Sequence, residues 1–103
     1  MAESFSYKIT GESELFTFDF SQVLTPAETI LTASCSVIVM SGTDSSPNSI
    51  LYGTPVIVNK TASQRIVSGV SEVTYRLQMT IVTSQSNIYV GVGDLTVYEA
   101  NLV

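Results

Sequence analysis

Across Glu14–Phe20, Phe16, Phe18 and Phe20 alternate with Leu15, Thr17 and Asp19, so a strand here carries three phenyl rings on one face. That face is expected in the core. The same period runs through Ser4–Thr10 as Phe5, Tyr7 and Ile9. Gly11, Glu12 and Ser13 follow as a turn, which predicts either a hairpin with the next strand or an extended arm. Ser21–Glu28 contains Pro26 and reads as a loop, and Thr29–Met40 follows as the longest β-like run. Within it, Leu31, Ala33, Cys35, Val37 and Val39 form the more apolar face and are assigned to the core.

Ser41–Asn48 strings Gly, Ser, Asp and Pro together, which is turn chemistry, and Gly42, Asp44 and Asn48 are expected in an exposed loop. Ile50–Tyr52 and Thr54–Asn59 read as short segments separated at Gly53, with Pro55 favouring an edge strand or a strand start. Gln64–Ser68 is a further short strand. Val73, Tyr75, Leu77, Met79 and Ile81 alternate with polar residues across Val73–Thr83, the cleanest two-residue period in the chain. The last strand, Asn87–Glu99, contains Gly91 and Gly93, where a bulge or a close backbone approach is expected. About seven strands result, spaced as in an all-β, immunoglobulin-like Greek-key sandwich. Residues 14–99 form that sandwich, 1–13 an N-terminal arm or first hairpin strand, and 100–103 a C-terminal tail.

With 103 residues the chain is expected to form one domain with an ordinary core. Four Lys and Arg stand against nine Asp and Glu, a net charge of −5 that argues against nucleic acid as a partner. No apolar run is long enough for a membrane helix, and no signal-peptide pattern opens the chain. The chain has no His and one Cys, which removes His-dependent dyads, an internal disulfide and the common zinc sites. No catalytic, cofactor-binding or metal-binding residue is nominated. Asp19, Asp44 and Asp94 lack the spacing of a calcium loop and read as solvated turns or strand ends. Cys35 reads as an inert thiol on an apolar strand face. Lys60 and Arg65 are too few for a phosphate groove, and the sequon Asn59-Lys60-Thr61 matters only in an exported eukaryotic protein.

Two stretches carry a family likeness. The first is Asp19-Phe20-Ser21-Gln22-Val23-Leu24, followed by Glu28-Thr29-Ile30 and Ser34-Cys35-Ser36-Val37; the second is Ser68-Gly69, then Val73-Thr74-Tyr75-Arg76-Leu77 and Ile81-Val82-Thr83-Ser84. Together they resemble small immunoglobulin-like or fibronectin-III-like virion-associated proteins of tailed bacteriophages and prophages, over residues 15 to 97. Cys35-Ser36 stands where such proteins often carry Thr-Trp, and Thr54–Ser68 is longer. The resemblance implies a virion component, synthesised in the bacterial host cytoplasm, that works by binding and stacking as repeated copies.

The expected function is therefore that of a non-enzymatic structural protein. It would decorate and stabilise the head or sit at a connector, touching a phage capsid, connector or tail protein in a homo-oligomer or symmetric array. The alternative is a receptor- or glycan-binding module of a tail fibre or adhesin. Phe5, Tyr7 and Ile9 at the N-terminus and Leu102 and Val103 at the C-terminus are the candidate interaction residues, since apolar termini are liabilities unless something covers them. The alternative is that they complete their own sheet. Tyr75, early in the penultimate strand after a Gly turn, is placed like the tyrosine of a tyrosine corner.

Overall fold

The computed structural model describes residues 2–102 and, for residues 2–4, the backbone alone. The two-residue periods become strands: β1 (Ala2–Ser4), β2 (Lys8–Ile9), β3 (Glu14–Asp19), β4 (Ile30–Ser41), β5 (Leu51–Val58), β6 (Thr61–Ile66), β7 (Val73–Thr83) and β8 (Ile88–Tyr98). Short 3-10 turns cover Pro47–Ile50 and Ala100–Leu102. One sheet runs β1-β8-β7-β4, with β2 also on β8, and the other runs β3-β6-β5. Successive strands β3 to β4, β4 to β5 and β6 to β7 cross between the sheets, which gives the expected immunoglobulin-like Greek-key sandwich. Its long axis is 47 Å.

The inward residues of β7 anchor the core: Tyr75, Leu77, Met79 and Ile81 are fully buried, as are Leu95 and Val97 of β8. Phe16, Phe18 and Phe20 close over them from the opposite sheet. Each such side chain contributes roughly 1.5–3 kcal/mol by leaving water. Polar bonds tie the loops at both ends. At one end the Tyr75 hydroxyl accepts from Val70 N at 2.8 Å and donates to Asp44 Oδ2 at 2.7 Å. There too the buried Lys8 ammonium donates to Ser68 O at 2.6 Å and Ile9 O at 2.9 Å. At the other end buried Glu28 accepts from Thr83 Oγ1, from Asn87 Nδ2 at 2.9 Å and from Thr25 N at 3.2 Å.

Several expectations are corrected. The segment containing Phe5, Tyr7 and Ile9 makes no hairpin with β3; its strands run parallel to β8, pairing Ala2–Ser4 with Val92–Asp94 and Lys8–Ile9 with Val97–Tyr98. The turn at Gly11 carries the chain across to the other sheet, so residues 2–9 belong to the sandwich. Leu31 leaves the core set at 60% exposure while Ile30 is buried, because a register shift between Ile30 and Thr32 reverses the alternation there. β5 is one strand rather than two segments: a register shift between Tyr52 and Val56 absorbs Gly53, whose φ is +72°. β6 starts at Thr61, three residues before the expected Gln64, because Asn59 adopts φ +53° and closes a tight turn with Lys60.

Candidate functional site

The inward row of β8 reads Tyr89, Gly91, Gly93, Leu95, Val97, and the missing side chains at the glycines let aromatic rings from elsewhere approach the strand. A Cβ at Gly93 would overlap the Phe5 ring, and one at Gly91 would lie 3.0 Å from Phe18 Cδ2 and 3.1 Å from Phe20 Cζ. The pairing of β8 with β7 runs without a shift, so close approach, and not a bulge, explains both residues. Phe5 meets Phe16 and Phe18 edge-on at centroid distances of 5.0 and 5.4 Å.

β1 begins at Ala2 opposite Val92 and runs on to Ser4 opposite Asp94, and among the described residues no strand pairs with the β8 edge on this side from Ile88 to Gly91. Beside it lies a groove of about 260 Å³, lined by Phe18, Phe20, Val23, Val90, Gly91 and Val92, with Asp19 and Gln22 adding polar groups. Ile88 and Val90 are 66% and 55% exposed on the outer face of β8, and Val23 is 48% exposed. A sheet edge beside an apolar groove can take an extended segment by strand addition: backbone groups pair, and alternate side chains enter the groove. Asp19 stays ionised there, its carboxyl held below the ordinary carboxylate range by hydrogen bonding from Ser21.

The residues singled out from sequence fall in separate places. Phe5 is half-buried under β8, Ile9 is half-buried, and Tyr7 is exposed with its ring against Tyr98 at 5.8 Å. Leu102 is exposed in the last turn, and Val103 lies outside the described residues. Gly42 and Asn48 are exposed in the loop after β4. Asp44 is not a solvated turn residue: it is half-buried, accepts from Ser46 N and receives the Tyr75 hydroxyl. Asp94 likewise holds Arg76 in a fork of 2.7 and 3.0 Å, and that hydrogen bonding keeps its carboxyl below the ordinary range. The β8 edge was not singled out from sequence. Its signal is the run Ile88-Tyr89-Val90-Gly91-Val92-Gly93, which places apolar residues on the outward row and glycines on the inward one.

Among the described residues no group of three or more Cys, Asp or Glu is gathered as metal ligands. No helix of the described residues is long and apolar enough to cross a membrane. No curated protein matches the chain. A family model described as podophage GP4 fiber-tail adaptor protein gp77 matches residues 8–92, from β2 into the glycine row of β8. That match covers most of the sequence, so the chain belongs to this podophage fiber-tail adaptor family and is a structural protein of the phage virion, made in the host cytoplasm.

Proposed function

We propose that this chain is a passive connector at the junction between tail and fibres, and that its β8 edge receives an extended segment of a neighbouring tail or fibre protein. The observation that carries this reading is the edge Ile88–Gly91, unpaired among the described residues, lying against the apolar groove. The same strand already accepts a parallel partner in β1, and Phe5 shows how a bulky side chain seats over a glycine of its inward row. An incoming segment would add its backbone to β8 and lay an apolar side chain into the groove beside Gly91. The family description, a fiber-tail adaptor, supports this reading over head decoration, the first expectation. The mechanism involves no turnover. A sandwich held at both ends by polar bonds presents a preformed edge, so little ordering cost falls on this partner when it binds.

The test is binding of the full chain to purified tail and fibre proteins, comparing the native sequence with Val90→Asp and Val23→Asp. Both positions are about half exposed, so folding is retained while a charge enters the groove wall. Binding is expected to weaken at least tenfold, with thermal stability unchanged. Undiminished binding by both variants would exclude this edge.

A further inference from the structure

We infer that residues 2–7 form a placeholder strand on β8, displaced by an extended segment of a different protein that runs parallel to β8 and carries two large apolar side chains separated by one residue. This rests on the β8-edge reading above and adds the direction of the incoming segment, its side-chain pattern and the fate of the N-terminal arm. Two seats lie along the glycine row of β8. The first, over Gly93, is walled by Phe16 and Phe18 and holds the Phe5 ring. The second is the groove beside Gly91, with Phe18 and Phe20 among its walls. Phe18 is common to both, so the seats are continuous. The arm runs on past the Ser4–Asp94 pair, and the Phe5 ring lies back over Gly93, the residue in register with Glu3. By the same step, a large side chain two residues earlier in the row would reach Gly91. The arm has Glu3 at that position, and a carboxylate is a poor occupant of an apolar groove. The arm therefore suits one seat and not the other.

Its attachment is short. The ladder covers Ala2–Ser4, extended by the bond from Phe5 N to Asp94 O at 3.0 Å. Ser6 and Tyr7 are exposed and lie between β1 and β2. Lys8 is fully buried, its ammonium bonded to Ser68 O and Ile9 O, so residues 6 and 7 link a fixed lysine to a removable ring. The occupant follows from the pattern. A second copy brings the same Glu3 and gains nothing over the arm already in place. A segment with apolar side chains at both positions fills both seats, and that extra burial is the differential affinity displacement requires. Because the arm is tethered, it competes at high local concentration and rejects segments that fill only one seat.

The probe is a labelled peptide with the sequence of residues 2–7 and Glu3→Phe, added to the full chain, with the unsubstituted peptide as control. The substituted peptide should bind about tenfold more tightly than the control, the effect of burying one more ring. In the complex the Phe5 amide should exchange faster, because its acceptor on β8 passes to the peptide. In the full chain, Phe5→Ala should tighten peptide binding about tenfold by loosening the arm, and Glu3→Phe should weaken it about tenfold by letting the arm fill both seats. General destabilisation does not produce these opposed shifts. Peptide binding with unchanged exchange at Phe5, or the absence of either shift, would overturn the inference. If Val90→Asp weakens tail or fibre binding but Phe5→Ala does not strengthen it, the edge reading holds and the displaced strand fails. If the peptide displaces the arm while tail and fibre binding ignores Val90→Asp and Val23→Asp, the edge reading fails and the displaceable strand stands.

Discussion

The ring of Phe5 fills the space that a side chain at residue 93 would occupy, so Gly93 and Phe5 together fix the N-terminal segment against β8. Gly93→Ala is expected to push the ring out and cost about 1–3 kcal/mol, the usual range for overpacking. At this chain length that is a fall of about 4–8 °C in Tm per kcal/mol. Amide exchange should accelerate first at Phe5 and Thr10, whose N–H groups donate to Asp94 O and Tyr98 O. Unchanged protection at these amides would show that Phe5 does not hold the segment.

Tyr75→Phe removes the hydroxyl that joins Val70 N to Asp44, and the loss is expected to be about 1–3 kcal/mol by chemical denaturation, with an unchanged m-value. Burial pushes the Tyr75 phenol up to about 12. Its folded value lies above its unfolded one, so its contribution is complete below the ordinary tyrosine range, near 10, and is lost as pH rises toward 12. A phenolate absorbance titration should show a component near pH 12 that disappears in Tyr75→Phe.

Glu28 gives the opposite pH dependence. Hydrogen bonds from Thr83 and Asn87 hold its carboxyl below the ordinary range, near 4.5. Its stabilisation is therefore present above that range and is lost as pH falls through the folded value. Tm should decline on acidification below about pH 5, and the decline should be shallower in Glu28→Gln. Identical slopes in both proteins would mean that Glu28 does not link the loop before β4 to the β7–β8 turn.

The register shift at the start of β4 makes Ile30 and its neighbour unequal. Ile30→Ala is expected to cost about 2–5 kcal/mol as a buried truncation, while Leu31→Ala should fall within about 0.5 kcal/mol of the native chain. Equal losses by denaturant melting would place Leu31 in the core after all.

That pair also shows where the sequence is legible and where it is not. Val73–Thr83 alternates without interruption and becomes β7 with the same ends, and Phe16 and Phe18 of β3, with Phe20 just beyond it, enter the core as their spacing requires. Alternation says nothing of a single inserted residue, so Leu31 reads as core until the strand partner shows the shift. Partner choice is hidden as well. The turn at Gly11 suits a hairpin, yet the glycines of β8 make room for Phe5 and draw that segment parallel to the last strand. Asp44 looks like an ordinary turn acid because its partner, Tyr75, is distant in sequence. The groove beside Gly91 arises from residues of β3, the following loop and β8, so no local pattern announces it.

The most direct test of the adaptor account is quantitative mass spectrometry of this chain in purified particles, separated into heads and tails. The account predicts that the chain partitions with the tail fraction, in a fixed simple ratio to the fibre protein. Partition with heads, in proportion to the major capsid subunit, would contradict it and return the chain to a role on the shell.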